Sequence, residues 1–395
     1  MKNTPRIYDT LIQILGQHAH WLDKRHLYTL IWMVIGLIES KVISLPEWAP
    51  FVDSRAKFAQ STVRRFSRWL NNQRIKVNEM YGPIIQEAIA EWKDQIIYLA
   101  LDTSMLWDRF CHIRISIIYR GRAVPLVWKT IEHGSSSVGL ESYRDLLDKA
   151  AKLLPSNCDV VFLADRGFAD TNLMEYLSQT LHWHWRIRIK SSFLVYRRGC
   201  RRCKISSIRL KRGQARFWRN VYITDKRFGP VHLALAKPHG TKEDWLIVSD
   251  QPTDLSTFDE YGLRFDIEEN FLDDKSSGFQ LESSLIRSAE ALSRLCLVLA
   301  VATLFLVCQG TAVVESGHRR WVDAHWFRGN SYLKIGWKWL HRALVKGYDL
   351  ISQFRLFSSL DPEPAIASLK QANARNDYIL AAQFETFVPF ELSSL

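Results

Sequence analysis

The sequence predicts an α/β protein: a helical opening, a mixed sheet with strands and helices in alternation, a β-rich segment set into it, and a return to helix. Three observations lead there. Residues 1–94 carry apolar side chains at helical spacing around Ile7–Leu15, Leu27–Ile38 and Gln60–Leu70, interrupted by Pro46 and Pro50. From residue 95, runs of β-branched and apolar residues take over. Between residues 191 and 250, short strand patterns alternate with Gly and Pro turns.

Taken in order, Gln95–Leu101, Arg114–Tyr119 and Ala123–Trp128 read as strands, the last two joined by a turn at Arg120–Gly121. Ser142–Leu154 has helical spacing and stops at Pro155. Asp159–Ala164 is a buried-strand run, Leu173–Leu177 a short helix and Trp183–Ile189 a further strand. Three strands, helix, strand, helix, strand is the order of a ribonuclease-H-like α/β core, whose mixed sheet presents carboxylates at strand ends. Phe193–Tyr196, Ala215–Thr224, His232–Ala236 and Trp245–Val248 supply the β-rich insertion. The expected division is 1–94 helical, 95–190 first part of the core, 191–250 insertion, 251–310 second part of the core and 311–395 a Trp-rich carboxyl region.

The chain has 395 residues, 47% hydrophobic and 24% charged, which excludes disordered and collagen-like classes. Its formal net charge of +12 favours a polyanionic partner. The longest apolar run, Leu295–Cys308, is too short to span a bilayer and reads as a buried core helix. The amino end shows no signal-peptide core, and six cysteines make no disulfide framework, so a cytoplasmic location with reduced thiols is expected. Cys200 and Cys203 have zinc-like spacing but no second pair, and Gly134–Ser137 lacks the Gly-Lys-Ser/Thr of a phosphate-binding loop.

Charge is unevenly distributed. Arg186–Arg227 holds 15 Lys and Arg against one acid, Asp225, whereas Asp259–Lys275 holds seven acids against Arg264 and Lys275. A basic stretch followed by an acidic cluster suggests a polyanion held near a cation-dependent site. In the amino-terminal region, Ser61–Leu70 sets Val63, Phe66 and Leu70 on one stripe and Arg64, Arg65 and Arg68 on other faces, the pattern of a helix that lies in a DNA groove.

Asp102 is expected to end the first strand and Asp165 the fourth. Two strand-end carboxylates facing one space repel unless cations neutralise them, and hard divalent ions prefer oxygen ligands. A third acid comes from a helix. At about 100° per residue from Tyr261, Arg264 falls near 300°, Glu268 near 340° and Lys275 near 320°, while Asp266, Glu269, Asp273 and Asp274 fall elsewhere. One acid between two cations and a phenol suits a metal-ligating carboxylate with phosphate-gripping neighbours.

The spacing Tyr261-x2-Arg264-x3-Glu268-x6-Lys275 resembles the Tyr-Arg-Glu-Lys signature of DDE transposases in the insertion-sequence-four family. Asp102-Thr103, Asp165-Arg166-Gly167-Phe168 and Ile267-Glu268-x2-Phe271 carry the likeness further, across residues 95–310. The resemblance implies a catalytic triad of Asp102, Asp165 and Glu268 holding two Mg²⁺ ions, with Mn²⁺ able to substitute. It implies metal-dependent cleavage at transposon ends and strand transfer into target DNA, through a hairpin intermediate in which an aromatic stacks on a flipped base, with Trp245 or Trp218 as candidates. Tyr261, Arg264 and Lys275 would contact DNA beside the site, and Arg201, Arg202, Lys211 and Arg212 would track its backbone. Partners would be double-stranded terminal repeats, target DNA and a second copy of the chain, in the bacterial nucleoid. A DNA-binding or regulatory protein of the same descent without catalysis, and a nuclease without strand transfer, stay open as other readings.

Overall fold

The computed structural model describes residues 4–17, 23–53, 56–239, 243–277, 279–364 and 379–390. The first region forms α1 (Thr4–Gly16), α2 (Lys24–Ser40), α3 (Leu45–Trp48), α4 (Ala59–Leu70) and α5 (Val77–Ala88). Asp23 caps α2 by accepting from the Arg25 amide, and the helix ends where Lys41 turns left-handed at φ 63°. These helices share one hydrophobic core with the rest of the chain. Arg294 ties them to it, donating to the Leu70 carbonyl at the end of α4 at 2.8 Å.

An antiparallel meander follows: β1 (Ile96–Leu106), β2 (Phe110–Tyr119) and β3 (Arg122–Glu132). Then come α6 (Arg144–Leu153), β4 (Asp159–Ala164), α7 (Thr171–Glu175) and β5 (His184–Arg188). The β-rich segment supplies β6 (Leu194–Tyr196), β7 (Cys203–Lys204), β8 (Gln214–Ile223), β9 (Phe228–Lys237) and β10 (Trp245–Ser249). All join one mixed sheet in the order β3-β2-β1-β4-β5-β10-β9-β8-β6-β7. β1–β4 and β4–β5 are parallel, and β10 runs antiparallel to β5. The β-rich segment therefore extends the sheet rather than building a layer of its own.

After the sheet come α8 (Ser256–Gly262), α9 (Phe265–Leu272), α10 (Ala289–Glu315), α11 (Arg319–Val322) and α12 (Tyr332–Lys346). A last strand, β11 (Ala381–Thr386), pairs in parallel with β8.

Period-two alternation sorts the strands between two helical layers. Ile97, Leu99 and Leu101 of β1 and Val160, Phe162 and Ala164 of β4 belong to the large core with α10. The intervening Ala100, Val161 and Leu163 face α9 through Ile267 and Phe271. Along the same face, α8 lays Phe258 and Tyr261 over Ala215, Phe217, Ala234 and Ile247 of the extension. The α8–α9 pair thus spans the junction between the two parts of the sheet.

The apolar run around Leu295–Cys308 forms most of α10. That helix is long and apolar enough to cross a membrane, yet 94% of the stretch is buried inside the protein. α10 and α12 cross backbone to backbone: a Cβ on Gly310 would lie 2.0 Å from the Tyr332 carbonyl oxygen, and one on Gly336 1.8 Å from that of Leu306. Neither carbonyl can withdraw without breaking its helix. Gly336→Ala should therefore cost about 3 kcal/mol or more, the upper range of overpacking, read as a lowered thermal midpoint. Gly139→Ala, with nothing within 4 Å of its Cβ, should leave the midpoint unchanged.

Candidate active site

Asp102 does not end its strand. β1 continues to Leu106 because β2 keeps pairing with it as far as Leu106↔Phe110. On the other side, however, β4 leaves at Leu101↔Ala164, so Asp102 is the first residue of β1 with that flank open. Asp165 follows the last residue of β4, where its carboxylate caps the turn Arg166–Phe168 and accepts from the Arg166 amide at 2.6 Å. By parallel register, Asp102 and Asp165 occupy the next row after Leu101 and Ala164. Both point to the α9 face, by alternation from Ala100 and Leu163.

α9 completes the arrangement. Arg264, buried to 4% side-chain exposure, stands between two acids: its guanidinium lies 3.5 Å from the Asp102 carboxylate and donates to that of Glu268. Three carboxylates and one guanidinium therefore share the face. Burial pushes the Asp102 carboxyl up to about 6; Arg264 and the Thr103 amide oppose that rise, and nearby Glu268 and Asp165 add to it. Tyr261 is buried beside Arg264, and desolvation pushes its phenol up to about 12.

The signature segment is not the single straight helix that the wheel assumed. α8 ends at Gly262, the chain tightens through i→i−3 bonds at Arg264 and Ile267, and α9 gives way to a π-helical turn at Asp273–Ser277. Arg264 and Glu268 remain one turn apart and meet. Lys275 is carried round by the wider turn to β1, where its ammonium donates to the Met105 carbonyl at 2.6 Å and lies 3.7 Å from Glu282. Arg264 thus holds carboxylates and Lys275 holds a strand.

The back of this segment is clamped by ions that the sequence analysis passed over. Arg114 of β2, buried, donates to Asn270 and Asp274, and its guanidinium lies 4.5 Å from the Phe271 ring centroid. Beneath it His112 is buried and accepts or donates at Thr130 (3.0 Å), its pKa held well below the usual range by desolvation. Arg122 of β3 reaches Asp273 at 3.4 Å and Glu269 at 3.6 Å. The signal was there: a charge inside the apolar strand Arg114–Tyr119 needs a buried partner.

Elsewhere, α4 buries Thr62, Phe66, Trp69 and Leu70, exposes Arg64 and Arg68 and half-buries Arg65. Arg201, Arg202, Lys211 and Arg212 are exposed in the segments flanking β7. Neither tryptophan considered for base stacking is a free ring. Trp218 is buried, with Nε1 on Glu385 at 3.1 Å and the Arg197 guanidinium 4.2 Å from its centroid. Trp245 is half-buried and packs 5.6 Å from Phe258. In the carboxyl region, Trp337 and Trp339 are buried in α12, while Trp321 is exposed within a cluster of His318, Trp339 and Tyr348. Among the described residues no group of three or more His, Cys, Asp or Glu has ready-made metal-site geometry, in keeping with a guanidinium standing among the carboxylates.

The chain belongs to the family whose model is described as a transposase DDE domain, matched over residues 108–305, half of the sequence. Asp165 and Glu268 fall inside the match and Asp102 just before it. No curated protein matches the chain in sequence. Among solved structures, it is similar to the piggyBac transposase synaptic complex with hairpin DNA seen by cryo-EM, with a TM-score of 0.41 and 11% identity over 87% of this chain and 78% of that one.

Removing one partner of the buried Arg114–Asp274 pair leaves an uncompensated charge, so Arg114→Gln should destabilise the fold by about 3–5 kcal/mol, measured by urea denaturation. Arg122→Gln, which leaves the buried Asp273 without its cation, should also destabilise, but by less, because Arg122 is itself 20% exposed and its other partner, Glu269, faces solvent.

Proposed function

We propose that this chain is a DDE transposase of the insertion-sequence-four type, with a ribonuclease-H-like core, that cuts at transposon ends and joins them to target DNA. The observation that carries the reading is the meeting of Asp102, Asp165 and Glu268 on one face of the sheet around Arg264. The strand order β3-β2-β1-β4-β5 with β1, β4 and β5 parallel supports the core assignment.

The donor chemistry, three carboxylates on one face, is of the oxygen type that hard divalent cations take, and Arg264 already shows that positive charge is accepted between Asp102 and Glu268. Asp102, Asp165 and Glu268 would hold two Mg²⁺ ions, with Mn²⁺ able to substitute; when bound they supply activation of water and neutralisation of charge on the transferring phosphate. The chain's own contribution is positional. The register fixes the two aspartates, the Arg114 and Arg122 clamps hold α9 against the sheet, and Arg264 keeps Glu268 turned toward Asp102. Buried Tyr261 and Phe258 anchor α8 on the sheet beside it.

Double-stranded DNA would lie across this face, with exposed Arg64 and Arg68 of α4 entering a groove and Arg201, Arg202, Lys211 and Arg212 following the backbone. Cut-and-paste movement through a hairpin, assembly as a homodimer with exposed Trp321 at the interface, and action at the bacterial nucleoid belong to the same reading.

The test is a plasmid carrying the flanking genomic ends. Excision is expected with Mg²⁺, and its loss in EDTA and in Asp165→Asn. DNA shifted but uncut under every divalent ion would make the chain a binding protein of transposase descent.

A further inference from the structure

The register row that holds the two aspartates continues to a third strand. β4 and β5 pair in parallel up to Ala164↔Ile187, so the position beside Asp165 belongs to Arg188. Trp185, Ile187 and Ile189 lie in the main core, which turns Arg186 and Arg188 to the α8–α9 face; Arg186 confirms this by donating to Glu260 of α8 at 2.8 Å. Reading across β1, β4 and β5, the row is acid, acid, cation.

Arg188 opens onto a cleft of about 410 Å³, lined also by Arg166, Lys190, Ser191, Glu243 and Asp244. Arg166 is the residue directly after Asp165, and it and Lys190 are exposed. The Arg188 side chain is only 13% exposed, held at 2.6 Å by Glu243, itself 63% exposed, and it donates to the Asp244 carbonyl at 3.1 Å. That ion pair, with Arg166 adding to it, holds the Glu243 carboxyl below its usual range. A second cleft of about 390 Å³ shares Ser191, Asp244 and Leu246 and adds Arg209 and Lys237. Cations thus line a track leading away from Asp165, and the anion seated on its innermost guanidinium is a solvent-facing carboxylate.

We propose that Arg188, Arg166 and Lys190 form a binding pocket for a backbone phosphate of the DNA strand next to the carboxylate site, and that Glu243 occupies Arg188 as an internal stand-in for that phosphate until DNA displaces it. A phosphodiester matches the guanidinium fork as a carboxylate does, and one arriving at Nη2 must displace Glu243, because both protons of that nitrogen already go to Glu243 and the Asp244 carbonyl. This rests on the transposase reading for the identity of the polyanion, but not on catalysis. It assigns Glu243 the role of a competitor that lowers affinity for DNA while keeping a half-buried cation paired.

The experiment is anisotropy of a fluorescein-labelled 30-base-pair duplex of arbitrary sequence, in EDTA, over a NaCl series, with wild type, Glu243→Gln, Arg188→Gln and the double variant. Glu243→Gln is expected to tighten binding roughly three- to tenfold. Arg188→Gln should weaken it and lower the slope of log affinity against log salt by about 0.9, one phosphate contact. In the Arg188→Gln background the Glu243→Gln gain should vanish. A folded Glu243→Gln protein with unchanged affinity, or a gain that persists without Arg188, overturns the pocket. Should Arg188→Gln fail to fold, the exposed pair Arg166→Gln/Lys190→Gln must show the same loss of slope or the idea falls. The coupling persisting in a protein that never cuts DNA would sink the catalytic reading alone; cutting without coupling would sink only the pocket.

Discussion

Two carboxylates in one row of a parallel strand pair are an electrostatic liability, and much of the molecule around Asp102 and Asp165 can be understood as its management. Parallel strands place in-register side chains on the same face about 4.8 Å apart, too close for two exposed anions to be indifferent to each other. The chain meets this with a buried guanidinium, Arg264, on the helix that brings the third acid. Burial and its anionic neighbours still leave Asp102 with a carboxyl raised to about 6. A cation beside Asp102 would favour the ionised carboxylate that burial disfavours.

That helix must be held firmly, since its position sets the distance between Glu268 and the row. Apolar contact alone is thin here: Ile267 and Phe271 rest on a small cluster of Ala100, Ile118, Ala123, Val161 and Leu163. The ion pairs from β2 and β3 to Asp273 and Asp274 compensate, anchoring the stretch after Glu268 to the meander. The π-helical turn is part of the same device. By widening the helix at Asp273–Ser277, it lets Asp274 reach inward to Arg114 while Lys275 turns to the Met105 carbonyl.

Most of the fold was legible because it rests on periodicity. The strands Asp159–Ala164 and Trp183–Ile189 and the helices of the first region follow directly from apolar spacing, and the observed elements fall on them within a few residues. What escaped lies between elements. The two-residue strand β7 is too short to have a period, and β11 pairs with β8 across more than 150 residues of chain, a contact no local pattern announces. At the site, the four signature residues were legible as a set, but not all their directions were. A uniform 100° wheel keeps Arg264 on the Glu268 face, where the structure also has it, but cannot see the π turn that carries Lys275 away to the Met105 carbonyl. Arg188 was invisible for a different reason: its place beside Asp165 follows from strand register, which appears only once β4 and β5 are paired.

The continuity of the sheet has a consequence for how a long polyanion would be measured. From β5 to the outer hairpin of β6 and β7 the ladder runs through β10, β9 and β8, five strand spacings, or roughly 24 Å at about 4.8 Å each. At about 3.4 Å per base pair, that is some seven base pairs of duplex. The arginines at Arg197–Arg202 therefore stand at a set distance from the carboxylate row, joined to it by backbone hydrogen bonds rather than by a linker. α8 and α9 stiffen the connection by packing on both parts of the same face. Had the β-rich segment been a separate module, its cations could only have raised the local concentration of DNA. Built into the sheet, they keep a fixed spacing from Asp165 whatever they bind.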